Sequence, residues 1–286
     1  MEITILIVTL IGLIIGSYTD FKTREVPDWV NFGLIALGFT ISLLLSIIST
    51  DWNYMINSVA GFLLCFIIGA VMFYTGQWGG GDSKMIMALG ALIGINIFNI
   101  DYRNFSLISF LVNILMVGAV YGIAWSIALT IKNRKRFMKE AKKVFYKNKV
   151  LNICISSITA LVLFVAIITS DFLVKINLLM IFIILLLYFL WHIIKIIENV
   201  CMLKYVSPDK LTEGDWIAED VKINGKIITG PKDLGISKKQ INQLLKFYRQ
   251  KKIKRILIKE GIPFVPSFLI AFIMTYAYGN LVFLLI

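Results

Sequence analysis

The sequence predicts an α-helical polytopic membrane protein, with about eight transmembrane helices and one small cytoplasmic α+β module. Three observations carry that prediction. Of 286 residues, 58% are hydrophobic and 16% charged, and mean hydropathy is +0.83; soluble globular domains are not composed this way. Apolar runs recur at about the 20 residues that a bilayer core requires. The basic residues fall almost entirely into alternate intervals between those runs.

The runs lie at 3–19, 29–49, 55–75, 83–98, 105–131, 150–169, 173–194 and 264–286. The first has neither the basic n-region of a signal peptide nor an A-x-A-like cleavage site, so it is expected to be a retained helix. If all eight cross, intervals 20–28, 76–84, 132–149 and 195–263 share one side. They hold all of the 29 basic residues except Arg103 and Lys175. The positive-inside rule places that side in the cytoplasm and both termini outside. Cys65, Cys154 and Cys201 are scattered and form no CxxC pair, so neither a zinc site nor a disulfide framework is expected, and they are expected to be buried filler.

The chain divides accordingly into a membrane core (1–131), a basic cytoplasmic loop (132–149), a further transmembrane hairpin (150–194), a cytoplasmic module (195–263) and a last transmembrane helix (264–286). The basic loop suits membrane lipids carrying negative headgroups. In the module, 215–223 alternates as a strand and Asn224-Gly225 is a hairpin turn signal. Residues 226–229 then return as a second strand. Ser237 and Gln240 form a capping box opening a helix to about Arg249, and 253–259 alternates again. The expected order is ββαβ. The single histidine, His192, is expected at a helix end at the interface; one histidine does not readily assemble a Ser-His-Asp or histidine-metal site.

Two carboxylates stand out. Asp20 ends the first apolar run, and Asp82 follows the glycines Gly79, Gly80 and Gly81 at the start of the fourth. Odd helices run inward and even ones outward, so both lie at the cytoplasmic face. Carboxylates at a membrane edge are costly and suggest function. Asp82 alone would suit a helix N-cap. Three features favour a pair. The fourth run is short, which suggests that its start is recessed. Gly12/Gly16 and Gly90/Gly94 are small-residue pairs through which helices one and four could pack. The glycines before Asp82 remove side chains where a peptide backbone would approach. Two carboxylates sharing a site keep one proton between them and can activate water as an aspartic dyad.

Gly79-Gly80-Gly81-Asp82 matches the GxGD motif of membrane aspartyl proteases. With Asp20-Phe-Lys-Thr-Arg24-Glu25-Val-Pro27-Asp28 after helix one, the chain resembles the type IV prepilin peptidases and archaeal preflagellin peptidases. The resemblance covers 1–131 well, and the module with Gly261-Ile-Pro263-Phe-Val-Pro266 resembles the archaeal branch. It implies that Asp20 and Asp82 are catalytic, with Gly79, Gly80, Gly81, Arg24, Pro27 and Lys84 as supporting or substrate-binding residues. It implies cleavage of a short basic leader from pilin-like or flagellin precursors. No metal, cofactor or nucleic-acid partner is implied. Bacterial members carry paired CxxC motifs between their first helices and also N-methylate the product; this chain has neither the motifs nor the long loop, so peptidase activity alone is expected.

Two other readings share parts of the pattern. A secondary transporter would use intramembrane carboxylates, but near the midplane and with an internal repeat. A presenilin-like protease would have a YD helix motif where this chain has Thr19-Asp20, and a Pro-Ala-Leu segment that this chain lacks.

Overall fold

The computed structural model describes residues 2–98, 101, 103–147, 149–223 and 225–285. The first helices are α1 (Ile3–Thr23), α2 (Asp28–Ser49), α3 (Asn53–Tyr74), α4 (Gly80–Ile93) and α5 (Leu107–Lys132). Then follow α6 (Arg134–Lys147), α7 (Lys149–Ile168) and α8 (Phe172–Cys201). After a mixed α+β region, α10 (Val265–Tyr278) and the short α11 (Val282–Leu285) close the chain. Six helices are long and apolar enough to cross a membrane: α1, α2, α3, α5, α7 and α8. α4 and α10 have 14 residues each, about 21 Å at 1.5 Å per residue.

α4 is the hub of the core. Met85, Ile86, Ala88, Leu89, Ala91 and Leu92 are all buried, so this helix is enclosed on nearly every side. Small residues permit the enclosure. A Cβ on Gly61 of α3 would collide with the Gly90 carbonyl, and one on Gly38 of α2 would lie 2.9 Å from the Ala91 carbonyl carbon. Ser58 Oγ donates to the Ala91 carbonyl at 2.6 Å, adding a polar tie between α3 and α4. The Gly90/Gly94 pair therefore faces α3, not α1. A GxxxG pair announces a close contact without naming the partner, and here α3 takes it. α1 reaches α4 differently: a Cβ on Gly16 would lie 2.5 Å from Met85 Cε.

α10 packs between α1 and α5. Buried Asn113 of α5 donates through Nδ2 to Thr275 Oγ1 at 2.9 Å and to the Gly279 carbonyl at 2.8 Å. Its Oδ1 accepts from the Leu281 N–H at 2.9 Å. The expected last helix, 264–286, is thus two pieces, because Gly279 at φ 69° ends α10. By contrast, α7 buries only Thr159 and Ala166 and α8 only Ile196 and Ile197 among the described residues. Cys65 is buried filler as expected, whereas Cys154 lies on the open surface of α7.

The basic stretch is not a loop but the amphipathic helix α6. Phe137, Ala141, Val144 and Phe145 recur at helical spacing and are half-buried, while the lysines point outward. α8 also continues past the expected residue 194 to Cys201.

Among the described residues, the module has five strands where three were expected. β1 (Leu203–Val206) and β2 (Trp216–Ile217) flank β5 (Ile256–Lys259) in an antiparallel sheet. β3 (Val221–Ile223) and β4 (Lys226–Thr229) form a separate hairpin. The expected 215–223 strand is therefore split between two sheets. Ile223 pairs with Lys226 across the predicted turn, of which Asn224 lies outside the described residues. The capping box is present: Ser237 Oγ accepts from the Gln240 N–H, and Gln240 Oε1 accepts from the Ser237 N–H at 2.8 Å, opening α9 (Lys238–Arg249). Leu211, Ile217, Ile236, Leu244, Ile256 and Ile258 form a second core, separate from that of the membrane helices.

Candidate active site

Asp20 occupies the last turn of α1 and is 5% exposed. The turn closes because Arg24 adopts the left-handed conformation (φ 62°) and its N–H donates to the Asp20 carbonyl at 2.9 Å. The carboxylate points at a helix start: Oδ2 accepts the Val265 N–H at 2.9 Å, at the first residue of α10. A helix N-terminus offers unsatisfied donors and a favourable dipole to a negative group.

Asp82 lies inside the first turn of α4. The helix begins at Gly80 with Gly79 as its N-cap, three residues earlier than expected, so Asp82 is the third helical residue and not the cap. Its Oδ2 accepts the Gly79 N–H at 3.0 Å, folding the glycine turn back onto the carboxylate. Asp20 and Asp82 lie within electrostatic reach of each other. Each is thus aimed by backbone N–H donation, and the two come from different helices.

The glycines differ in their surroundings. A Cβ on Gly79 would lie 3.3 Å from Asp82 Oδ2, and one on Gly81 would lie 3.2 Å from the Val26 nitrogen. At Gly80 the nearest atom is Phe73 Cε2 at 3.8 Å, an ordinary contact. What closely approaches Gly81 is therefore the chain's own loop between α1 and α2. The position written x in GxGD is the one where a side chain meets no crowding.

The supporting residues separate by position. The Arg24 guanidinium lies 5.0 Å from the Trp125 ring centroid on α5, and its Nε is 3.9 Å from Glu260 Oε1 just after β5. Its charge also acts on Asp20, so it joins the site to α5 and to the module. Pro27 is the N-cap of α2 and, with buried Val26, shapes the loop. Lys84 turns to α2, pairing with Asp28 Oδ1 at 2.5 Å and lying 5.6 Å over Phe32.

Sequence reasoning missed three contributors. Val265 acts through its backbone, which leaves no side-chain signature. Trp78 is buried against Phe264 and Phe268, with centroids 5.9 and 5.3 Å apart, and so joins the glycine turn to α10. Tyr121, stacked on Trp125, lies within electrostatic reach of Asp20. The available signals were Pro266, which suits a helix's first turn, and the aromatic at Trp78. Among the described residues, no three His, Cys, Asp or Glu side chains are placed to hold a metal ion.

The fold and this site define a multi-helix membrane protein with two helix-borne carboxylates in one place, the arrangement an aspartic protease uses. Residues 7–125 match the type IV leader peptidase family, which bears out over that stretch the resemblance carried by the two aspartate motifs. The chain is 44% identical over 87 residues to a preflagellin peptidase of Methanococcus maripaludis, covering 30% of this chain and 37% of that protein. It is 48% identical over 87 residues to that of Methanocaldococcus jannaschii, with the same 30% and 37% coverage. It is 42% identical over 84 residues to that of Methanococcus voltae, covering 29% and 36%. The chain spans little more than a third of the length of these curated relatives.

Proposed function

We propose that this chain is a membrane aspartic endopeptidase that removes a short basic leader from pilin-like or flagellin precursors at the cytoplasmic face. The juxtaposition of Asp20 and Asp82 carries the reading. The carboxylate of the pair takes a proton from water, the water oxygen attacks the scissile carbonyl, and the carboxylic acid polarises that carbonyl. Collapse of the intermediate transfers a proton to the leaving amine. The Val265 and Gly79 amides orient the carboxylates from outside the pair, leaving their remaining lone pairs for water and substrate.

The orientation follows from charge. α1 runs inward and α4 outward, with the basic loops inside and both termini outside. α4 and α10 complete eight crossings as short helices walled by the longer ones, which shelter their ends inside the roughly 30 Å hydrocarbon core. The precursor's apolar helix lies in the bilayer beside the enzyme, and its leader stays in the cytoplasm. Glu25, Glu213 and Asp215 interact at the loop that follows the helix carrying Asp20, a charge of the sign that a basic leader needs. No N-methyltransferase step is assigned.

The test is direct. The purified protein is mixed with a preflagellin precursor in liposomes, and the products are weighed by mass spectrometry. Loss of the leader at a single bond is expected. An intact precursor, under conditions where a preflagellin peptidase of a related organism cleaves it, contradicts the reading.

A further inference from the structure

We propose that the junction of α6 and α7 is a binding site for the phosphate headgroup of an anionic phospholipid. A shallow surface cavity of about 620 Å³ lies there, lined by Lys142, Lys143, Phe145, Tyr146 and Lys149. Three lysines and two aromatic rings line one hollow, a set that suits the glycerol and upper acyl chain of a phospholipid in the hollow and its phosphodiester at the rim. The lysines form donors for the phosphate oxygens, and the rings suit the interfacial depth.

The charges are available. Residues 132–149 hold nine basic side chains and one acid, Glu140. That acid is 3.4 Å from Lys143, both at helical i,i+3 spacing, and no other ion pair to these three lysines is found among the described residues. Lys149 also lies 5.8 Å over the Tyr146 ring. The site is held in place from behind. Asn152 Nδ2 donates to the Phe145 carbonyl at 2.9 Å, Tyr188 Oη donates to Asn152 Oδ1 at 3.0 Å, and the Phe145 and His192 rings are 6.2 Å apart. α6 is thus pinned by its half-buried stripe to α8, with its lysines outward at a membrane face. An anionic lipid is the occupant that both the sign of the charge and the apolar neighbours favour. The proposal requires that α6 lie at a membrane face and does not depend on peptidase activity.

The full-length protein is released from nanodiscs of mixed phosphatidylglycerol and phosphatidylcholine, and retained lipids are counted by native mass spectrometry. Preferential retention of phosphatidylglycerol is expected. It should fall about fivefold for each lysine replaced in the series Lys142→Gln, Lys143→Gln and Lys149→Gln. A control with Lys222→Gln, Lys226→Gln and Lys232→Gln in the module should keep the parental preference. All these positions are exposed, and an unchanged helical circular dichroism spectrum verifies folding. Equal retention by the α6–α7 triple variant, or no preference between the lipids, overturns the proposal. Displacement of the lipid by millimolar glycerol phosphate would assign the site to a soluble phosphate compound and overturn it as well.

Discussion

The Val265 N–H donates to Asp20 Oδ2 at 2.9 Å, joining residues 245 apart in sequence. It puts the start of α10 behind the carboxylate at the end of α1. The segment after the soluble module is therefore part of the site, although its side chains carry none of the chemistry.

A first prediction separates that amide from the side chain. Val265→Ala keeps the donor and should retain most peptidase activity. Val265→Pro removes it, and a charge-assisted hydrogen bond of about 1.5–3 kcal/mol implies a loss of about ten- to a hundredfold in kcat. Steady-state cleavage rates of the two variants, normalised to folded protein, check this. Equal rates would deny the amide a role.

The glycine turn gives a second. Gly80→Ala should be tolerated. Gly79→Ala presses on the Asp82 carboxylate and Gly81→Ala on the Val26 backbone, so both should lower kcat by about tenfold or more, given that small misplacements of reacting groups are amplified in rate. The order of the three rates is the readout.

The module's contact with the 24–28 loop should depend on pH. Burial raises the Glu25 carboxyl above its ordinary 4.5, with Asp215, Glu213 and Asp28 adding to the shift and the Thr212 hydroxyl opposing it. Burial also raises Asp215 above 3.8, with Glu260 adding and Thr212 hydrogen bonds opposing. Docking thus favours the protonated forms. Their contribution is complete below 4.5 and 3.8 respectively and is lost as pH rises through the raised values. Protection from hydrogen exchange across 212–217, taken relative to the intrinsic amide rate at each pH, should rise on mild acidification, and Glu25→Gln with Asp215→Asn should flatten that response. Protection that falls in acid would contradict the assignment.

Packing at α3–α4 sets a stability prediction. Gly90→Ala forces a Cβ against the Gly61 carbonyl and to 2.7 Å from Cys65 Cβ, and should destabilise by about 1–3 kcal/mol. Gly33→Ala, with nothing within 4 Å, should be close to neutral. Thermal unfolding of both variants in one detergent provides the comparison.

Much of this arrangement was legible in the sequence. The six long spans followed from run length, and the Ser237–Gln240 box marked α9 because both of its members are side chains. Asp20 and Asp82 stood out because carboxylates at apolar helix ends are rare. The rest was hidden for physical reasons. The density of lysine in 134–147 obscured a helical stripe of only four residues, Phe137, Ala141, Val144 and Phe145. The start of α4 was obscured by glycines, which have low helix propensity yet form its first turn here. Leu203–Val206 is too short to signal a strand alone and gains its identity only by pairing with Ile256–Lys259.

The most direct measurement of the central claim is single-turnover cleavage of a preflagellin precursor by the parent, Asp20→Asn and Asp82→Asn proteins in ¹⁸O-labelled water. The account predicts one ¹⁸O atom in the new carboxyl terminus of the leader released by the parent, and no leader released by either variant, with both variants still binding precursor. Cleavage by either variant at the parental rate would contradict it.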